Sequence, residues 1–115
     1  MHESLPTLAD IEAARSRISA LARLTPVLRD EALDDEIGAR LFFKCENLQR
    51  VGAFKFRGAC NAAFALDEAE AARGVVTHSS GNHGAALAMA AALRGIPAHV
   101  VVPENANALK LRNIV

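Results

Sequence analysis

Tryptophan and tyrosine are absent from the chain, and five phenylalanines supply all its aromatic rings. A base-stacking surface is therefore not expected. Cysteine is scarce too: Cys45 and Cys60 are the only two, with no zinc-ligand spacing and no disulfide framework. Reduced thiols in a cytoplasmic protein are the expected state. Thirteen basic residues balance thirteen acidic ones and no basic block stands out, so neither nucleic acid nor a membrane is an expected partner. No apolar run approaches the roughly 20 residues of a membrane span, and the first residues lack the pattern of a secretory signal. What remains is a chain of 115 residues, 51% hydrophobic and 23% charged, which suits a small folded core.

The pattern of the chain alternates helices and strands. Thr7 can cap a helix with Asp10 in its first turn, and Leu8, Ile11, Ala14, Ile18 and Leu21 recur at helical spacing. A helix over 7–24 is expected, ended by Thr25-Pro26. Residues 27–28 suggest a short extended piece, 30–36 a short helix closed by Gly38, and 41–45 a strand. A second long helix is expected over 55–66, rich in alanine, followed by a strand over 74–78 and a helix over 82–93 ended by Gly95. A strand over 98–102 completes a parallel strand–helix–strand unit. One more helix, capped by Asn105 or Asn107, would run to Val115 without a glycine or polar tail, and the expectation is a chain cut short. The fold class is α/β.

Two stretches carry chemistry. In 51–59 a single lysine, Lys55, lies between Phe54 and Phe56 where a turn becomes a helix. The positive end of a helix disfavours an ammonium and helps a neutral amine attack an aldehyde. One phenylalanine would enter the core while the other packs on a flat aromatic group. The same pattern also suits an ordinary surface lysine between two core phenylalanines. In 78–84, His78-Ser79-Ser80-Gly81-Asn82-His83-Gly84 joins a strand to a helix N-terminus, which is an anion site or simply a capped helix. The dinucleotide fingerprint, the phosphate loop and the metalloprotease motif are all missing. His78 reads as a buried, hydrogen-bonded histidine and both cysteines as packing residues. Glu46-Asn47 reads as a turn cap, and Arg57 as a partner for some acidic neighbour.

Three motifs then stand in order: Lys44-Cys45-Glu46-Asn47-Leu48-Gln49, Gly52-Ala53-Phe54-Lys55-Phe56-Arg57-Gly58-Ala59 and Thr77-His78-Ser79-Ser80-Gly81-Asn82-His83-Gly84. Together they resemble the serine/threonine dehydratase and serine racemase family of fold type II pyridoxal phosphate enzymes. The resemblance runs from about Thr25-Pro26 to Pro103. It implies that Lys55 holds pyridoxal phosphate as an imine and later moves protons at the substrate's alpha carbon. It implies that Phe54 packs against the cofactor ring and that Asn82 hydrogen-bonds its phenolic oxygen. Ser79, Ser80, Asn82 and His83 would hold the carboxylate of a small amino-acid substrate. Ser80 would serve as a second base opposite Lys55, the arrangement associated with racemisation.

Dehydration of L-serine, L-threonine or a similar hydroxy amino acid to an oxo acid and ammonia is the leading implication, with racemisation second. A non-catalytic fragment or binding module, or a free-standing nucleotide-binding module, is the rival of another class. Ala53 departs from the serine common in the family. The family's phosphate loop, the residue facing the pyridine nitrogen and any divalent metal site have no counterpart motif here. The resemblance divides the chain into part of a large cofactor domain, 1–73, and the start of a small domain, 74–115, within a family that is commonly dimeric.

Overall fold

The structure, a computed structural model, describes residues 5–105. Helix α1 spans Leu8–Ile18, and its start is a reciprocal cap in which the Thr7 hydroxyl accepts from the Asp10 amide while Asp10 accepts from the Thr7 amide. The helix stops short of the expected 24. The amides of Leu21 and Ala22 both fold back on the Ile18 carbonyl, at 2.9 and 2.8 Å. Beyond that, long-range bonds take over: Arg23 exchanges backbone hydrogen bonds with the Gln49 amide side chain, and Arg50 Nε donates to the Leu21 carbonyl. Tertiary partners outcompete the helical periodicity of this segment.

Strand β1, Val27–Leu28, pairs antiparallel with β2, Phe43–Lys44, with Val27 opposite Lys44 and Leu28 opposite Phe43. The strand expected over 41–45 is thus only two residues long. Between them lies α2, Glu31–Ile37, capped by Asp30 and ended by Gly38 at φ 73°. Two short 3-10 turns, Glu46–Leu48 and Arg50–Gly52, lead into α3, Lys55–Ala65. Helix α4, Glu68–Arg73, was not legible from hydrophobic spacing, because it buries only Ala71. Its signal is the cap formed by Asp67 and Glu70.

Strand β3, Val75–His78, helix α5, Asn82–Arg94, and strand β4, Ala98–Val101, form the expected parallel unit. Val75 pairs with Ala98 and His78 with Val101. The sheets described are both two-stranded. Between β3 and α4, Gly74 adopts φ 78°, and a Cβ there would meet the Pro97 carbonyl oxygen at 2.5 Å. The helix expected after Asn105 lies outside the described residues.

The core is where α3 meets α5. Phe56, Ala59, Cys60 and Ala63 of α3 pack on Ala86, Leu87 and Ala90 of α5, bordered by half-buried Ile18, Leu21, Val51 and Val75. Alanine on both faces lets the two backbones approach closely while excluding water. Arg94, at the end of α5, reaches back to the carbonyls of Ala63 and Leu66, so the open C-terminal end of α3 is satisfied by its partner helix. No helix among the described residues is long and apolar enough to cross a membrane. Ala90 is fully buried, so Ala90→Leu is expected to destabilise the fold by about 1–3 kcal/mol through overpacking. Urea unfolding of the two chains, compared by midpoint at equal slope, checks it.

Candidate active site

The turn before Lys55 is bent by two consecutive left-handed residues, Val51 at φ 55° and Gly52 at φ 66°. Glycine takes this conformation freely, but a β-branched valine does so at a cost of order 1–3 kcal/mol. Ala53 returns to extended backbone and Phe54 turns into α3, whose first residue is Lys55. The two phenylalanines divide as expected: Phe56 is 0% exposed and Phe54 is 59% exposed. Lys55 Nζ lies 5.0 Å from the centroid of the Phe54 ring. The lysine therefore stands in the open, at a helix start, beside an uncovered aromatic face.

Two residues along the same helix, Arg57 forms an ion pair that the sequence alone does not assemble. Arg57 grips Glu46 with two parallel hydrogen bonds, Nε to Oε2 at 2.9 Å and an Nη to Oε1 at 2.7 Å. The same guanidinium reaches the Arg23 carbonyl at 3.1 Å and the Thr25 hydroxyl at 3.4 Å, and Thr25 in turn donates to Glu46 at 2.5 Å. Gln49, 2% exposed, is satisfied by the Arg23 amide and carbonyl and by the Arg50 amide. The expected acidic partner of Arg57 is thus Glu46, but Glu46 is a tertiary anchor rather than a local turn cap. No periodicity links residues 25, 46 and 57, so only the folded chain reveals the group.

At the other end of the core, β3 runs into the turn before α5. The Ser79 amide donates to the Val101 carbonyl at 3.0 Å, and the Ser79 hydroxyl accepts from the Gly81 amide at 3.2 Å. Gly81 is the N-cap of α5 and contributes no side chain, so the positive end of that helix carries no side-chain cap. His78, Ser79 and Ser80 border a hollow of about 460 Å³ with Val101, Val102 and Pro103. It lies off the carboxyl ends of two parallel strands, where open α/β sheets bind ligands. His78 is exposed on this rim, which corrects the expectation of a buried histidine: the strand ends here, with no layer covering it among the described residues.

His83 faces a second groove, of about 300 Å³, together with Gly58, Ala59 and Ala62 of α3. The structure thus brings Phe54 to Lys55, Ser79 to Ser80, and His83 to the middle and end of α3. It joins neither Asn82 nor Ser80 to Lys55 by a hydrogen bond among the described residues. Cys60 is fully buried in the core, and that burial pushes its thiol pKa up, with the charge of Arg50 opposing. Cys45 is half-buried, and both thiols are free. No group of three or more His, Cys, Asp or Glu could hold a metal ion among the described residues.

A family model described as pyridoxal-phosphate dependent enzyme matches residues 18–115. The chain belongs to this family. It is 53% identical to the serine racemase of Oryza sativa subsp. indica over 113 residues, covering 98% of this chain and 33% of that protein. It is 56% identical to the beta-hydroxyaspartate dehydratase of Paracoccus denitrificans over 102 residues, covering 89% of this chain and 32% of that one. The solved structure of maize serine racemase superposes with a TM-score of 0.94 at 51% identity, over 96% of this chain and 34% of that one. These neighbours are fold type II enzymes, and the α/β class follows. The chain spans about a third of the length of its relatives. The residues present suit the family's cofactor: a primary amine at a helix start, a bare ring face beside it, and an uncapped helix end with serine hydroxyls.

The Arg57 hydrogen bonds hold Glu46 down at about 2, against an ordinary 4.5, aided by Thr25 and by the charges of Arg57 and Lys44 and opposed by burial. Because the folded value is depressed, the contribution of the pair is whole above pH 4.5, declines below it and is gone as pH falls through about 2. The difference in unfolding midpoint between the parent chain and Glu46→Gln should therefore be flat from pH 5 to 7 and shrink steadily under acid. A thermal melt series in pH checks this.

Proposed function

We propose that this chain carries the cofactor lysine and the carboxylate-binding turn of an enzyme that deaminates a small β-hydroxy amino acid to an oxo acid and ammonia. The observation that carries the reading is Lys55, at the open start of α3, with its amine beside the exposed face of Phe54. Pyridoxal phosphate, when bound, supplies the electron sink that makes the substrate's alpha proton acidic. Everything else falls to the side chains. Lys55 takes the alpha proton, Phe54 supports the cofactor ring, and Asn82 donates to its phenolic oxygen. Ser79, Ser80, Asn82 and His83 receive the substrate carboxylate at the uncapped start of α5, where N–H groups and the helix dipole favour an anion.

The assembly that works would be larger than residues 1–115. We place the boundary between the cofactor domain and the small domain at 73/74, where α4 ends and Gly74, at φ 78°, leads into the parallel unit. A homodimer of the whole protein is part of the same reading, as is a cytoplasmic setting.

Racemisation is the second reading, favoured by Ser80 on the rim of the hollow and by relatives that carry the name serine racemase. A second base matters for racemisation alone, because elimination needs only the first proton abstraction.

Reduction with borohydride after adding pyridoxal phosphate, followed by peptide mass mapping, tests the lysine. The label is expected on Lys55 and absent there in Lys55→Ala. A label spread evenly over Lys44, Lys55 and Lys110 contradicts the reading. For the division of labour, Ser80→Ala should lower racemisation of L-serine by about 100-fold or more while ammonia release stays within a few-fold. Equal loss of both activities would remove Ser80 as the second base. Assays on L-serine, L-threonine and 3-hydroxyaspartate would identify the preferred substrate.

A further inference from the structure

The loop that presents Lys55 is closed at its two ends. Glu46 lies nine residues before the lysine and Arg57 two residues after it, and the fork between them clasps the intervening chain into a ring. Inside that ring sits Val51, a β-branched residue held at φ 55°. Its backbone is not held by local preference, since valine resists this conformation. Contacts outside the turn must hold it: Val51 itself packs against the α3–α5 core, and the chain on either side of it is tied down by the Arg57–Glu46–Thr25 group and by buried Gln49.

The turn's own hydrogen bonds are few and partly long: Gly52 N to Gln49 O at 2.9 Å, Ala53 N to Arg50 O at 3.5 Å and Phe56 N to Ala53 O at 3.3 Å. Phe54 offers no side-chain cap to α3. Two residues apart on one helix, Lys55 and Arg57 project about 200° from each other. Arg57 can thus anchor the inner side of the first turn while the Lys55 amine faces out. The arrangement resembles a clamp on the far side of the helix from its working group.

We propose that the Glu46–Arg57–Thr25 clasp is a positioning device for Lys55, holding the strained 49–53 turn and the first turn of α3 so that the amine and the Phe54 ring are set before the cofactor arrives. This rests on the reading of Lys55 as the cofactor lysine. Pre-set geometry matters because misplacement by about 1 Å can lower a reaction rate by as much as 100-fold. Arginine suits the role, since its planar fork engages both carboxylate oxygens at once and lysine cannot.

The test follows the share of borohydride-trapped pyridoxal phosphate on Lys55 relative to Lys44 and Lys110 in the full chain, with amide hydrogen exchange over 49–57 measured in parallel without cofactor. Glu46→Gln and Arg57→Met are each expected to lower the Lys55 share by about tenfold and to speed exchange at Gly52, Ala53 and Phe56. Arg57→Lys, which keeps the charge, should lose most of the selectivity as well. Ala63→Gly, which loosens α3 away from the clasp, should keep it at temperatures where that chain is folded. The double variant should lose no more than either single one, because the two residues act as a unit.

Selectivity retained in Arg57→Lys and Glu46→Gln would overturn the positioning role, as would an equal loss in Ala63→Gly. Additive losses in the double variant would overturn the clasp as a unit. A parent chain without Lys55 selectivity would overturn the cofactor reading and this inference together, and so differs from failure of the clasp alone.

Discussion

The close approach of two alanine-lined helices is the contact on which the rest of this structure depends. Ala59 and Ala63 of α3 and Ala86 and Ala90 of α5 are all buried, and between them only Phe56, Cys60 and Leu87 add bulk. Small side chains contribute little burial each, so such a core is stable only if the helices stay in register. Two devices keep them there. Arg94 of α5 caps the carbonyls that end α3, and the parallel pairing of β3 with β4 fixes where α5 begins. The result is geometric: the middle and end of α3, strand β3 and the first turns of α5 face one groove, with His83 at the uncapped start of α5 on its wall.

Around that core the chain places polar anchors where aliphatic burial is thin. Gln49 is wholly buried yet fully hydrogen-bonded, and Glu46, half-buried, is held ionised by Arg57 and Thr25. Buried polar groups of this kind are costly unless every partner is in place, and here they are. They tie residues 21–25, which leave α1, to the turn that leads into Lys55. Strain at Val51 and restraint by the clasp are therefore two sides of one arrangement.

What could be read from the sequence was local. The split of Phe54 and Phe56, the helix beginning at Lys55, and the strand–turn–helix–strand run from Val75 to Val101 all rest on neighbours a few residues apart. The three ordered motifs led to the family for the same reason. The misreadings share a different cause. Helix α1 ends early because Gln49 and Arg50, far along the chain, claim the carbonyls and amides of 21–23. Helix α4 lacks an apolar stripe and shows only in its cap. Glu46 looked like a local turn cap because its partners lie 11 and 21 residues away. His78 looked buried because strand ends often are, and here the rim is open.

If the Lys55 helix start and the 79–83 turn serve one bound ligand, both respond to it together. Amide chemical shifts recorded as pyridoxal phosphate is added would test this most directly, with Lys55→Ala as control. Concerted shifts at 54–57 and at 79–83, both lost in Lys55→Ala, are the expected result. Shifts confined to the surroundings of Lys55, leaving 79–83 untouched, would contradict it.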